Sequence, residues 1–154
     1  MNYVRELRSL VGHRPLIIFG AAVLIFNNKN QLLLHHRQDN GQWGLIGGSM
    51  EIGESIEETA KREALEESGL TLEKLEWFDL FSGKELIYEL PHGDVVVNVT
   101  AVYTCSKYRG QLTPNDTEAY ELCFFNLDGL PENISPPDKP IIEQLLYRST
   151  SNQL

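Results

Sequence analysis

Three glutamates crowd one short stretch of this chain: Glu63, Glu66 and Glu67. On a helix spanning residues 55–68 they fall within an arc of about 100°, as i, i+3 and i+4 neighbours must. Ile56, Ala60 and Ala64 lie close to the same face, so the acids border the stripe that such a helix buries. Glu63 and Glu67 are like charges four residues apart, a pairing that costs a helix roughly 0.2–0.5 kcal/mol. Neither has a Lys or Arg three or four positions away, whereas Glu66 has Arg62. Glu57 with Lys61 and Glu58 with Arg62 interleave their signs as a solvated face does. From this helix alone, a solvated face and a cation site account for the pattern equally well. A divalent cation held by three carboxylates has oxygen ligands only, which points to Mg²⁺ or Mn²⁺ rather than zinc. Upstream stand Gly47 and Gly48, and glycines ahead of a helix let backbone groups approach an anion or a metal.

The elements that must position these groups follow from pattern. Ser55 with Glu58 forms a capping box, and Gly69 suits the position just past the helix C-terminus. Residues 16–26 and 31–37 are β-rich runs joined by four polar residues, which predicts a hairpin. Further strands are expected at 72–81, 85–90, 95–105 and 121–126, with His92, Gly93 and Asp94 as a turn between two of them. Val4, Leu7, Leu10 and Val11 recur at helical spacing over residues 2–12, and Gly12 followed by Pro15 ends that helix. A last amphipathic helix starts near Asp138, with Pro140 early in it and Ile141, Ile142, Leu145 and Leu146 as its apolar face. There is no repeat and no low-complexity tract. The order of elements predicts an α/β fold: a mixed β-sheet sandwiched between helices.

Composition bounds the function. The 154 residues fit one domain, 1–154, with 42% hydrophobic and 23% charged residues, as in ordinary globular chains. A net charge of −9 argues against a general DNA or RNA binder, which needs a basic footprint to displace counterions. A phosphorylated substrate remains compatible if metal cations mediate the contact. The longest apolar run, residues 16–26, is about half of what a bilayer needs. No signal-peptide core is visible near Arg5, Glu6 and Arg8, so a cytoplasmic protein without a membrane partner is expected. Cys105 and Cys123 sit in apolar, strand-like runs and read as free thiols in a reducing compartment.

Residues 48–70 read together as G-x5-E-x7-R-E-A-x-E-E-x-G-L. This resembles the Nudix box, G-x5-E-x7-R-E-U-x-E-E-x-G-U with U a bulky aliphatic. Gly48, Glu54, Arg62, Glu63, Glu66, Glu67 and Gly69 match every fixed position. A seven-position match has a chance of roughly one in a million in a chain of this length. The resemblance to Nudix (MutT-like) hydrolases extends over about four-fifths of the chain, through the first two strands, the Gln42-Trp43-Gly44-Leu45 approach and the late strand with its Leu130-Pro131 turn. Helix 2–12 is an addition to the minimal domain, and it either covers a sheet edge or makes a homodimer. Ala64 stands where a larger aliphatic is preferred, which should change packing only. Ile46 replaces a common proline, which should loosen the loop before the glycines.

The resemblance implies roles residue by residue. Glu63, Glu66 and Glu67 inherit metal ligation, with the Gly47 carbonyl completing the sphere and two or more Mg²⁺ ions expected. Glu54 would bind metal through water or orient the nucleophile, and Arg62 would hold Glu54 or a neighbouring carboxylate. The general base is either a box glutamate or Glu118 on a late loop, and an exposed loop carboxylate explains Glu118 equally well. Arg37 occupies a position where relatives bind a substrate phosphate. Tyr88, Trp43, Trp77, Phe81 and Tyr120 are read as structural, and His35, His36 and His92 as surface or packing residues. The implied activity is metal-dependent hydrolysis of the phosphoanhydride of a nucleoside diphosphate linked to another moiety. That class spans nucleoside triphosphates, sugar nucleotides and ADP-ribose-like small molecules. The alternative is a non-catalytic module of the same fold that senses nucleotides or binds proteins. Such domains often lose box glutamates, and all are present here.

Overall fold

A computed structural model describes residues 2–151. In chain order it comprises α1 (Tyr3–Val11), β1 (Leu16–Ile25), β2 (Leu32–Arg37), β3 (Trp43–Gly44), β4 (Ile46–Ser49) and α2 (Ile56–Ser68). Then follow β5 (Thr71–Phe81), β6 (Ile87–Glu89), β7 (Val95–Arg109), β8 (Ala119–Phe125) and α3 (Lys139–Thr150). The larger sheet runs β4-β1-β7-β5, with β6 also paired to β7. It is mixed: β1 and β7 run parallel from Leu16 opposite Val96 to Ile25 opposite Cys105, and the other pairs are antiparallel. A smaller antiparallel sheet has the order β3-β2-β8.

Two apolar layers explain why β1 is a continuous hydrophobic run. Ala21, Val23 and Ile25 join Ala101, Tyr103 and Cys105 in packing against Ala60 and Ala64 of α2. On the other side, Ala22, Leu24 and Val102 meet Ile141, Ile142 and Leu145 of α3. A strand covered on both faces needs no polar alternation. The predicted sandwich of a mixed sheet between helices is therefore present. Leu33 of β2 belongs to the first layer and Leu32 and Leu34 to the second, so the smaller sheet is wedged into both. Ala64 is fully buried in the first layer.

The predicted hairpin is not one. The link between β1 and β2 closes through Asn27 N–H to the Gln31 carbonyl and one antiparallel bridge, Phe26 to Leu32. Beyond that bridge the strands part into different sheets. The reason is that both edges of β1 are taken, by β7 on one side and by β4 on the other, with Gly20 opposite Ser49 and Val23 opposite Ile46. Ile46 is thus fully buried in a strand, and the segment before the glycines is not a loosened loop. The expected strand at 85–90 begins as a single 3-10 turn, Lys84–Leu86, leaving β6 only three residues. Among the described residues no helix is long and apolar enough to cross a membrane.

Helix α1 is capped by Asn2, and Gly12 at φ 68° ends it, as its sequence predicts for Gly12. It buries no residue completely and is attached by polar bonds. Tyr3 N–H donates to Glu51 Oε1 at 2.7 Å, and Arg8 donates to the carbonyl of Val95. Helix α2 has both halves of its capping box, Glu58 N–H to Ser55 Oγ at 3.1 Å and Ser55 N–H to Glu58 Oε1 at 3.2 Å. Ser55→Ala is expected to cost about 1 kcal/mol. For a chain of this size that lowers the melting midpoint by about 2–4 °C, measurable by circular dichroism.

Candidate active site

Pressing Ala60 and Ala64 onto the sheet aims the next positions of α2 at β4. Glu63 and Glu67 therefore face Gly48 and Gly47. At Gly48 a methyl group would stand 2.4 Å from the Glu63 carboxylate, and at Gly47 it would stand 2.2 Å from the Ala21 carbonyl oxygen. Only glycine lets the acid and both strands come this close. Gly47 N–H donates to Glu67 Oε1 at 2.7 Å, which fixes one oxygen of a carboxylate that is 6% exposed.

Arg62 gathers the remaining acids. Its guanidinium donates to both oxygens of Glu54, to Glu63 Oε1 at 2.8 Å, to Glu66 Oε2 at 3.2 Å and to the Ser49 carbonyl at 2.9 Å. Glu54 is further held by Glu51 N–H at 2.8 Å and Thr59 Oγ1 at 3.0 Å. Arg62 thus reaches Glu63, an adjacent residue that the i, i+3, i+4 rule passes over. The long side chain folds back along the helix toward Glu54 and meets Glu63 on the way.

The charges in this cluster separate sharply. Hydrogen bonds from Arg62 hold the Glu54 carboxyl down near 2, with the Glu51 and Thr59 donors helping. Burial pushes Glu63 up to about 7 against the pull of Arg62. Glu67 is raised well above the usual carboxylate range, first by burial and then by the charge of Glu63. The Glu63, Glu66 and Glu67 oxygens do not converge on one point. Arg62 draws the first two toward itself, and Gly47 holds the third.

Around these acids opens a cleft of about 610 Å³. Ile18, Gly20, Val96, Asn98 and Thr100 form part of its lining from β1 and β7, and Glu63, Glu67, Arg37 and Glu118 also border it. Glu118 is exposed, and its charge contributes to raising Glu63 and Glu67. Its carbonyl accepts from Gln38 N–H at 2.9 Å, which fastens the late loop beside the end of β2. Arg37 lies on the wall, donating twice to Asp39 at 2.8 and 2.6 Å. Glu54, Glu66 and Arg62 do not line the cleft; they stand behind Glu63.

Three residues of the cleft wall escape the sequence reading. His35 is 2% exposed, not a surface group, and neither ring nitrogen has a hydrogen-bond partner. Its Nδ1 lies 3.8 Å from Glu67 Oε2, and burial pushes the imidazole down to about 4, so it is neutral. Period-2 alternation from Leu33 would have put it on the face toward α2. Asp138 accepts from Leu45 N–H at 3.0 Å and is raised to about 6 by burial. Tyr88 lines the cleft and accepts from Asn40 Nδ2 at 3.0 Å, rather than only packing in a strand. Trp43 is structural as read: His36 stacks on it at 4.8 Å and Phe125 meets it edge-on. His92 and His13 surround Asp94, with His13 Nδ1 2.6 Å and His92 Nδ1 3.5 Å from the carboxylate. Among the described residues this is the one group of three with metal-ligand atoms within 4.8 Å of one another. Arg8 also approaches Asp94, at 3.6 Å, so the cluster ties the end of α1 to the turn before β7.

The site is thus a set of helix-borne glutamates facing a glycine pair on the neighbouring strand, in a mixed sheet between two helices. A family model for the NUDIX domain matches residues 18–145, and the chain belongs to the Nudix hydrolase family as a MutT-like member. It is 30% identical over 128 residues to a Methanocaldococcus jannaschii protein named ADP-ribose pyrophosphatase, covering 81% of this chain and 72% of that one. It is 28% identical over 141 residues to the Vibrio cholerae NAD-capped RNA hydrolase NudC, covering 88% of this chain and 48% of the relative. The chain spans about a third to a half of the length of several curated relatives it matches. A crystal structure of a MutT Nudix hydrolase from Burkholderia pseudomallei superimposes with a TM-score of 0.72 at 25% identity, covering 84% of this chain and 98% of that one.

Burying Glu67 beside Glu63 works against folding when both are charged. A carboxyl raised in the folded state costs stability as pH climbs above its unfolded value of about 4.5, and for Glu63 the loss extends to about pH 7. Glu67→Gln keeps an acceptor for Gly47 and removes the charge. In chelator at pH 8 the variant is expected to be more stable than wild type, with the gap closing below pH 4.5. Denaturant titrations at the two pH values check this.

Proposed function

We propose that this chain hydrolyses the phosphoanhydride of a nucleoside diphosphate linked to a second moiety, with divalent cations held by Glu63, Glu66 and Glu67. The observation that carries the proposal is the pairing of Glu63 and Glu67 with Gly47 and Gly48 at one wall of the cleft, with Arg37 on its rim. Members of this family use divalent cations, and the donors present fit one in chemical kind, Glu66 having to turn from Arg62 to join Glu63 and Glu67. They are all oxygen, two are desolvated like charges, and the absent side chain of Gly48 leaves room at Glu63. Mg²⁺ or Mn²⁺ suits such a set, with the Gly47 carbonyl as a further oxygen. When bound, the cations supply the positive charge that an acidic protein lacks and make a water more acidic.

The chain's own residues then have separable tasks. Arg62 keeps Glu54 ionised and holds Glu63 and Glu66 in register with it. Gly47 N–H orients Glu67. Arg37 binds a substrate phosphate, exchanging Asp39 for it. A water attacks one phosphorus, the bridging P–O bond breaks, and the water's proton passes to a carboxylate, either a box glutamate or Glu118. The leaving phosphate departs with the electron pair of the broken bond. The named relatives act on ADP-ribose and on NAD-capped RNA, both of which hold a diphosphate between two ribose-bearing groups. The −9 charge disfavours long RNA, so free ADP-ribose-like and dinucleotide substrates lead the candidates.

The test is a phosphate- and nucleotide-release screen over nucleoside diphosphate derivatives with Mg²⁺ or Mn²⁺. Wild type is expected to turn over one class strongly, and Glu67→Gln to lose about 10³-fold or more in kcat while staying folded. Retained turnover in that variant would overturn the metal assignment. Nucleotide binding with no turnover of any derivative would make the chain a sensor instead. Arg37→Ala should raise KM about tenfold with little change in kcat, and an unchanged KM would remove Arg37 from the substrate site.

A further inference from the structure

Away from the acids of the cleft, His13, His92 and Asp94 meet just past the end of α1. His13 and Asp94 are 81 residues apart in the chain, so no sequence spacing announces the group. The backbone is fixed on both sides of it. Arg8 donates to the carbonyls of Gly12 and Arg14, which flank His13, and to that of Val95, next to Asp94. In the turn between β6 and β7, Leu90 N–H donates to the Asp94 carbonyl at 2.8 Å and Gly93 N–H to the Leu90 carbonyl at 2.9 Å. Gly93, at φ 101°, lays its backbone beside the His13 ring, where a methyl group would stand 3.6 Å from Nδ1. Both imidazoles are open to solvent, their side chains 69% and 61% exposed, whereas that of Asp94 is 20% exposed.

We propose that His13, His92 and Asp94 bind a divalent transition-metal ion of the zinc type, which fastens α1 to the turn between β6 and β7. Two imidazole nitrogens and one carboxylate oxygen suit zinc, whereas the oxygen-only acids of the cleft suit Mg²⁺. Four-coordinate zinc, with bonds of about 2.0–2.1 Å, holds its ligand atoms roughly 3.3 Å apart. His13 Nδ1 to Asp94 Oδ1 is 2.6 Å and His92 Nδ1 to Asp94 Oδ2 is 3.5 Å, with all three groups within 4.8 Å of one another. Small rotations of two exposed side chains bring those separations to the zinc value, and solvent supplies the fourth ligand. Arg8 does not compete for the carboxylate. Its terminal nitrogens are spent on three carbonyls, and its Nε stands 3.6 Å from Asp94 Oδ2, where it steadies that oxygen. Helix α1 gains most from such a tie, because it buries no residue completely. Leu90 and Val96, on either side of the turn, line the cleft, so the ion also steadies that wall.

Calorimetric titration with Zn²⁺ at neutral pH tests this, on the whole chain carrying Glu67→Gln and in excess Mg²⁺, so that the cleft acids contribute little. One equivalent is expected to bind with a micromolar or lower dissociation constant. Adding His13→Ala or Asp94→Asn should weaken that binding at least about tenfold. Nitrogen-15 spectra of the wild-type chain give a readout that needs no variant. Zn²⁺ should move the Nδ1 resonances of His13 and His92 together, whatever becomes of the hydrolase reading. It should also raise the melting midpoint of wild type more than that of His13→Ala. No zinc uptake by the Glu67→Gln chain, uptake that neither added substitution weakens, or imidazole resonances that zinc leaves in place would overturn the proposal.

Discussion

Everything in this molecule is arranged around two carboxylates placed where carboxylates are costly. Glu67 is almost wholly buried and Glu63 mostly so, a turn apart on one helix; burial raises the proton affinity of both, and the charge of Glu63 raises that of Glu67 further. Arg62 does not neutralise the pair. It is spent on Glu54, Glu66 and the Ser49 carbonyl as well as on Glu63, and it does not reach Glu67. The structure therefore keeps at the cleft wall two acids that hold their protons tightly, and it loses stability when they ionise. Such an arrangement persists when function requires it.

What keeps those acids in place is the central strand β1. Its residues alternate between a layer under α2 and a layer under α3, and both edges are hydrogen-bonded. The glycine pair of β4 is fastened to one of those edges, so the distance from Gly47 and Gly48 to the helix is set by core packing, not by a mobile loop. The thin contact between Gly20 and the Gly48 carbonyl, where a methyl group would stand 2.5 Å away, shows how closely that edge is drawn in. Precision at the site follows from burial two layers deep.

The helices were legible from the sequence because their signals are local. Ser55, Glu58 and Gly69 cap α2 without reference to anything distant, and Gly12 ends α1 in the same way. The acids of the box were legible because their types and spacing recur together. The division into two sheets was not, since it depends on β4 occupying the edge of β1, a pairing between residues with no periodic signature in a glycine-rich stretch. Which of the two readings of His35, surface or packing, holds was not legible, for a related reason. Two adjacent histidines on a strand point to opposite faces, and which face is buried depends on the neighbouring sheet and not on the residues themselves. Asp138 and Tyr88 reach the cleft from turns and short strands, where pattern carries least information.

The bidentate pair between Arg37 and Asp39 changes what it means to bind here. An arginine facing open water exchanges hydration for ligand, and almost any anion gains. This arginine already holds a carboxylate through two short bonds, so an incoming group has to outbid an internal rival. If Arg37 takes a substrate phosphate as proposed, the pair works as a threshold. Weakly charged esters or single carboxylates offer nothing that Asp39 does not, whereas a diphosphate brings more charge and more acceptor oxygens than the aspartate it displaces. Discrimination of this kind would come before any recognition of base or sugar.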